Sequence, residues 1–277
     1  MRILLDNGMR SHSDFAEPAT RDTPVRWRGT EQVSIIHGVA RKAPDKNIDY
    51  QEQMEALFIL GRLIRTGLIE AYSYNEIECE RLRGRIGSGV CNALRGCSVH
   101  NCRPAVMRSR FRSTVDFKNT ISKGGKKDAK RGVALGNANQ IAFLKWLFAL
   151  KKQHVDLLIP HSALLGLTEF DVERLKDIEW FQLLCDRSGS PENYPDVFHL
   201  WTTERNCLDA FLTLEDRLPK FVKRVRSEKI RSIAIKTDVL RPLDLLQRLG
   251  VDKLDPVPME IGRFYHLHEL KDCFEGR

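Results

Sequence analysis

A chain of 277 residues, 42% apolar and 30% charged, is long for one domain, short for two, and able to bury a sizeable core. Its formal charge is +8, and seven cysteines without a regular framework fit a reducing compartment better than a disulfide scaffold. No apolar run approaches the roughly 20 residues that cross a bilayer, and the apolar start at Met1 is too short for a signal peptide, so a cytoplasmic protein with no membrane partner is expected.

Ile3-Leu4-Leu5 followed by Asp6-Asn7-Gly8 reads as a short buried strand ending in a turn. Between Ser11 and Asn47 the pattern is mixed, with a small hairpin suggested by residues 25–29 and 33–39. From Asp49 to Arg65 the residues Met54, Leu57, Phe58, Leu60, Leu63 and Ile64 recur at helical spacing. Residues 69–72 form the next predicted strand, and residues 75–83 a helix carrying Glu76 and Glu80 on one face.

The charge is concentrated in the segment that follows. From Arg81 to Arg131 fourteen Lys and Arg stand against Asp116 and Asp128, so this block carries +12 and the remainder −4. A block of this size marks an anionic partner, and phosphate backbone is the commonest, because neutralised phosphates release counterions. Its most cationic piece runs from Lys123 through Lys126, Lys127 and Lys130 to Arg131, with two glycines that let several groups approach one backbone. A solvated face without a ligand is the plainer reading. The Walker spacing is absent, so the segment is not a P-loop. Cys91, Cys97, His100 and Cys102 lie within twelve residues and are of the types that bind structural Zn2+, but the spacing lacks the paired C-x2-C pattern and suits ordinary thiols equally.

Residues 138–151 form an amphipathic helix through Ile141, Leu144, Leu147 and Phe148. A strand is predicted at 155–159, ended by Pro160, and a helix at 168–185 with Thr168 and Asp171 as its cap. Helices follow at 195–205, 216–226 and 241–249, with strands at 210–214 and 233–236. Strands alternate with helices almost throughout, which predicts an α/β fold with a mainly parallel sheet.

In such sheets ligands gather outside the carboxyl ends of the strands. Asp6 ends the first strand and Glu215 follows the strand at 210–214. A lone acid at a strand end is usually a cap or turn residue, so the inference rests on the combination. Crowded carboxylates raise one another's pKa unless a counter-charge is present, and a hard divalent cation with oxygen ligands supplies one. Thr213 beside Glu215 is suited to bonding a metal-bound water, or is an ordinary strand threonine; His199 reads as packed or exposed rather than catalytic.

The stretch from Pro195 to Leu218 resembles the C-terminal signature of the PIN-domain nucleases, in which an Asp opens a helix and a later hydrophobic strand ends in Leu-Thr-x-Asp. Asp196 matches the first acid, and Glu215, nineteen residues on, stands where that family usually has Asp, with Asp216 beside it. Leu4-Leu5-Asp6 is similar to the family's first strand, and residues 69–74 followed by Glu80 to its second acidic motif, with Glu76 and Glu78 as competitors. Residues 233–236 with Asp238 and the helix after them resemble the closing elements.

The resemblance implies an α/β/α sandwich formed by one domain over 1–277, with insertions at about 11–47 and 85–136. It implies a metal-dependent endoribonuclease, as in the toxins of toxin–antitoxin pairs, with Mg2+ or Mn2+ held by Asp6, Glu80, Asp196 and Glu215 or Asp216. RNA, an antitoxin-like protein and a second copy in a homodimer are the partners it implies. Two other classes remain open on the residues alone. One is a non-catalytic nucleic-acid-binding protein that uses the block 81–131; the other is an interaction module stabilised by zinc.

Overall fold

The computed structural model describes residues 1–83, 91–108, 126–228, 234–251 and 254–270. Five strands form one sheet: β1 (Arg2–Leu5), β4 (Glu70–Ser73), β5 (Val99–Asn101), β6 (Ala210–Leu212) and β7 (Asp238–Leu240), in the order β5-β4-β1-β6-β7. Each pairing between them is parallel. Side chains alternate across this sheet, as the two-residue period requires: Ile3 and Leu5 enter one core, Leu4 the other. Both faces are apolar, so both must be covered, and helices do so.

On the Ile3 side lie α1 (Asn7–Ser11), α2 (Ile48–Arg65) and α10 (Pro242–Arg248), through Met9, Leu57, Leu60 and Leu245. On the Leu4 side lie α3 (Asn75–Arg83), α4 (Lys126–Ala149), α7 (Ile178–Ser188), α8 (Tyr194–Arg205) and α9 (Arg217–Ser227). Phe143, Phe181, Phe198 and Trp201 fill that core, with Phe181 stacked on Trp201 at 5.1 Å between ring centroids. The result is an α/β arrangement in three layers. Among the described residues no helix is long and apolar enough to cross a membrane.

The predicted small hairpin is a longer one, β2 (Ala16–Trp27) with β3 (Thr30–Arg41), joined by β8 (Phe264–Tyr265) in a second, antiparallel sheet. Its turn holds Arg28 and Gly29 at positive φ, 51° and 84°, the backbone that a tight two-residue hairpin demands.

Three other sequence expectations are corrected. Residues 155–159 are not a strand but part of α5 (Lys152–Leu158), extended by a 3-10 turn. Leu157 is 68% exposed there, so the apolar run is not buried on two sides as a strand in this sheet would be. The helix expected over 168–185 breaks at Asp177 into α6 (Glu169–Lys176) and α7, although Thr168 and Asp171 do form the capping box that begins it. The last sheet strand is β7, not 233–236. The Glu204 carboxylate accepts the amides of Lys236 (2.6 Å) and Thr237, which takes them out of the ladder, while Val239 turns into the core; Ile233 lies outside the described residues. The segment read as an insertion at about 85–136 includes the edge strand β5 and the start of α4.

The chain after α3 is locked onto α2. Arg65 donates from Nη1 to the carbonyls of Ala93 (3.1 Å) and Arg95 (3.0 Å), and the Cys97 thiol donates to Gly61 O at 3.3 Å. Gly61 lies so close to this segment that a Cβ there would collide with Ala93 O. Gly61→Ala is therefore expected to lower stability by about 1–3 kcal/mol despite the better helix propensity of Ala. A urea denaturation midpoint equal to or above that of the wild type would refute this close packing.

Candidate active site

The strand order fixes where a site can form. From β1 the chain moves outward through β4 to β5, then returns to β6 on the other side of β1 and continues to β7. The direction reverses between β1 and β6, and loops leaving two such strands diverge and open a crevice at their carboxyl ends. Leu5 pairs with Leu212, and Asp6 N donates to Leu212 O at 3.0 Å, so Asp6 and the residues after β6 are neighbours at that crevice.

A cleft of about 680 Å3 occupies the position. Asp6, Glu80, Asp196, Glu215 and Asp216 all line it, together with Asn7. Four elements deliver the predicted carboxylates to one place: the end of β1, the last turns of α3, the first turn of α8 and the loop between β6 and α9. The Thr213 hydroxyl donates to Asp6 Oδ2 at 2.8 Å and accepts from Glu215 N at 3.2 Å, joining the two strand ends.

The electrostatics distinguish these acids. Burial first, and then the charge on Glu80, push the Asp6 carboxyl up, against the hydrogen bond from Thr213 and the charge on His199. Burial pushes Asp196 up to about 7, and Glu215, Asp6 and Glu80 add to it, with His199 opposing. Glu215 is exposed at the rim, yet partial desolvation and the neighbouring Asp6 raise it as well. Asp216 behaves differently: its ion pair with Lys220 lowers its pKa, and it sits fully exposed at the outer edge. Glu215 is held above the usual carboxylate range with Asp6 and Asp196, whereas Asp216, although it too repels Glu215, is held below that range by Lys220.

The second acidic motif is resolved in the same way. Glu78 accepts from Ser73, Arg10 and Arg81, and Glu76 pairs with Arg108 at 3.0 Å, so both are neutralised away from the cleft. Only Glu80 of the three lines it.

His199 is packed, one of the two readings the sequence allowed, but in a charged setting that the sequence reading missed. Its ring is 1% exposed, beneath the carboxylates, with Nε2 at 3.3 Å from Glu80 Oε1 and Nδ1 at 2.6 Å from the buried Tyr74 hydroxyl. Burial works against a charge on this ring, but Glu80, Asp6 and Asp196 outweigh it and raise its pKa to about 9. A ring held above its ordinary pKa in this way favours the imidazolium, which can donate from both nitrogens. Gln140 Nε2 donates to the same Glu80 oxygen at 2.6 Å. The only local signal was the spacing Asp196-x-x-His199, which places both side chains on one side of a helix. Asn7 was also missed: its Oδ1 is buried in the cleft without a hydrogen-bond partner among the described residues.

These donors suit a hard cation. They are oxygens, several are carboxylates held above their usual pKa, and one buried acceptor is unsatisfied. Among the described residues no three His, Cys, Asp or Glu side chains form a ready-made metal-ligand group. The quartet considered for zinc is dispersed. Cys91 and Cys97 pack into the core on the α2 side, Cys102 packs on the opposite side of the sheet, and His100 lies against Tyr72 at 5.4 Å. Burial pushes the Cys102 thiol up to about 11, away from the thiolate that zinc ligation needs.

Lys123 lies outside the described residues, as do the side chains of Lys126, Lys127, Lys130 and Arg131, whose backbone belongs to α4. No protein-family model, curated protein or solved structure matches this chain.

Proposed function

We propose that this protein is a metal-dependent nuclease of PIN type that hydrolyses phosphodiester bonds in RNA, with Asp6, Glu80, Asp196 and Glu215 as its acidic site. The observation that carries the reading is the convergence of these four carboxylates, with the pKa values of Asp6, Asp196 and Glu215 raised and an unsatisfied Asn7 oxygen beside them, at the crevice where the strand order reverses. Asp6, Asp196 and Glu80 would hold Mg2+ or Mn2+, with Glu215 and Asn7 as further oxygen donors. Such an ion supplies an activated water at neutral pH and stabilises the charge on a scissile phosphate.

The chain's own residues prepare that chemistry. Thr213 fixes the Asp6 oxygen Oδ2, and Asp6 lines the cleft. His199 and Gln140 both hold Glu80 Oε1, which sets its rotamer. The imidazolium also offsets part of the negative charge, so the carboxylates can stay together before a cation arrives. The test is incubation of purified protein with single-stranded RNA in Mg2+, Mn2+ or EDTA. Cleavage in either metal and none in EDTA is expected; tight binding without cleavage in any divalent ion would favour the non-catalytic nucleic-acid-binding reading instead.

An acidic cleft repels nucleic acid at long range, so cationic surface must hold the strand. We assign that role to Lys123, Lys126, Lys127, Lys130 and Arg131. Neutralising Lys123, Lys126 and Lys127 together is expected to weaken binding to all RNA sequences and to reduce the slope of log affinity against log salt by about one per lost phosphate contact. An unchanged slope in a salt titration would remove this segment from the substrate surface. An antitoxin-like protein and a homodimer belong to the same proposal; co-purification and light scattering test them.

A further inference from the structure

We propose that a second pocket, between α8 and α9, receives the nucleobase adjoining the phosphate held in the carboxylate cleft, and so restricts the substrate to unpaired strands. The inference rests on the nuclease reading for its ligand class, but its geometry is separate. The pocket measures about 360 Å3, at the small end of ligand sites, which run from about 300 to 1,000 Å3. Val197, Leu218 and the Phe221 ring give it an apolar floor, and Arg217, Lys220 and Arg224 stand around it. Asp196 and Arg217 line both this pocket and the acidic cleft, so the two are continuous.

The helix that builds it is unusual in charge. Over Arg217–Ser227, α9 buries Leu218, Val222 and Val225 and carries five Lys and Arg with no acid. A cationic helix face alone is commonly a solvated surface. Here the cations surround an aromatic ring at the mouth of a site whose substrate is anionic. Arg224 is positioned 5.5 Å from the Phe221 centroid and is anchored by a bond from Nη2 to Arg187 O at 2.8 Å. Arg217 Nη2 reaches Asn193 Oδ1 at 3.4 Å, across the pocket on the α8 side. A flat apolar group with a phosphate on either side matches this combination, because the base can stack while the phosphates meet guanidinium and ammonium groups. A base inside a duplex is already stacked and cannot enter.

The experiment uses the full chain in EDTA, where binding is read without cleavage. The probe is a single-stranded RNA trinucleotide with central 2-aminopurine, whose fluorescence falls on stacking. Saturable quenching is expected with wild type. Phe221→Leu, which keeps the apolar contact with the core, should weaken binding on the order of tenfold and lose most of the quenching. Lys220→Ala with Arg224→Ala should lower affinity and flatten the salt dependence by about one to two, and serves as the test if Phe221→Leu fails to fold. The same probe within an RNA duplex should bind at least about tenfold more weakly. Absent quenching in wild type, or equal affinity in wild type and both variants, would overturn the proposal. Cleavage of RNA in Mg2+ with no stacking leaves the nuclease reading and removes the pocket; stacking without cleavage does the reverse.

Discussion

Asp196→Asn is expected to abolish Mg2+- or Mn2+-dependent cleavage, by at least about a hundredfold, while making the metal-free protein more stable. The amide keeps the size of the carboxylate and loses the charge a cation needs. The gain in stability has the same origin as the loss of activity. Burial and the neighbouring acids hold Asp196 at a pKa of about 7, so in the folded chain its ionisation is costly. An acid with a raised folded pKa binds more protons in the native than in the unfolded state, and its ionisation removes stability as pH rises from about 4 to about 7. Removing it should raise metal-free stability at pH 8 by on the order of 1–2 kcal/mol, a figure reduced because the side chain is partly open to solvent. Thermal denaturation in EDTA and in Mg2+ measures both halves. A variant that cleaves undiminished at saturating metal is not missing a ligand; one that melts lower than wild type in EDTA at pH 8 contradicts the repulsion.

The largest structural effect is expected at His199. His199→Ala removes a positive group beneath the carboxylates and deletes the Glu80 contact at 3.3 Å. Breaking a buried charge pair typically costs about 3–5 kcal/mol, and a loss of that size is expected at pH 7 to 8. The sign of the pH dependence follows from the raised pKa, about 9. Relative to the ordinary histidine value, the stabilisation is fully present below about pH 6.5 and is lost as pH rises through about 9. The benefit also shrinks at pH 5, where Asp196 is protonated and less charge needs offsetting. The gap in urea midpoint between wild type and His199→Ala should therefore be greatest near neutral pH, narrow toward pH 5, and narrow in wild type plus Mg2+, where the cation takes over part of the role. An equal gap at pH 5 and 7.5 would reduce His199 to a packing residue.

Much of the frame was legible in local pattern. The apolar run Ile3-Leu4-Leu5 must be buried on both faces, so the first strand had to be central, and the acid after it had to stand at a strand end. Helix period over Ile48–Arg65 and in the described part of α4, the Thr168–Asp171 cap, and the strand–acid punctuation at Leu212–Glu215 are all set within a few residues. Such signals depend on chain geometry alone and put Asp6 and Glu215 at strand ends; Glu80 and Asp196 joined them only through the resemblance of their segments to the PIN-domain pattern.

What the tertiary structure decided depends on partners distant in sequence. Glu80 is distinguished from Glu76 and Glu78 because Arg108 and Arg10 reach the other two across the fold, and Glu215 from Asp216 because Asp6 lies beside the former, while the latter pairs with Lys220 one turn along its own helix. The register of β7 depends on Glu204, near the end of α8, withdrawing the amides at 236 and 237. Cys91 and Cys102, close in sequence, are separated by the sheet that runs between their two cores. His199 looked ordinary because its charge depends on Glu80 and Asp6 from two other segments as well as on Asp196 of its own helix, and a pKa is a property of surroundings rather than of spacing.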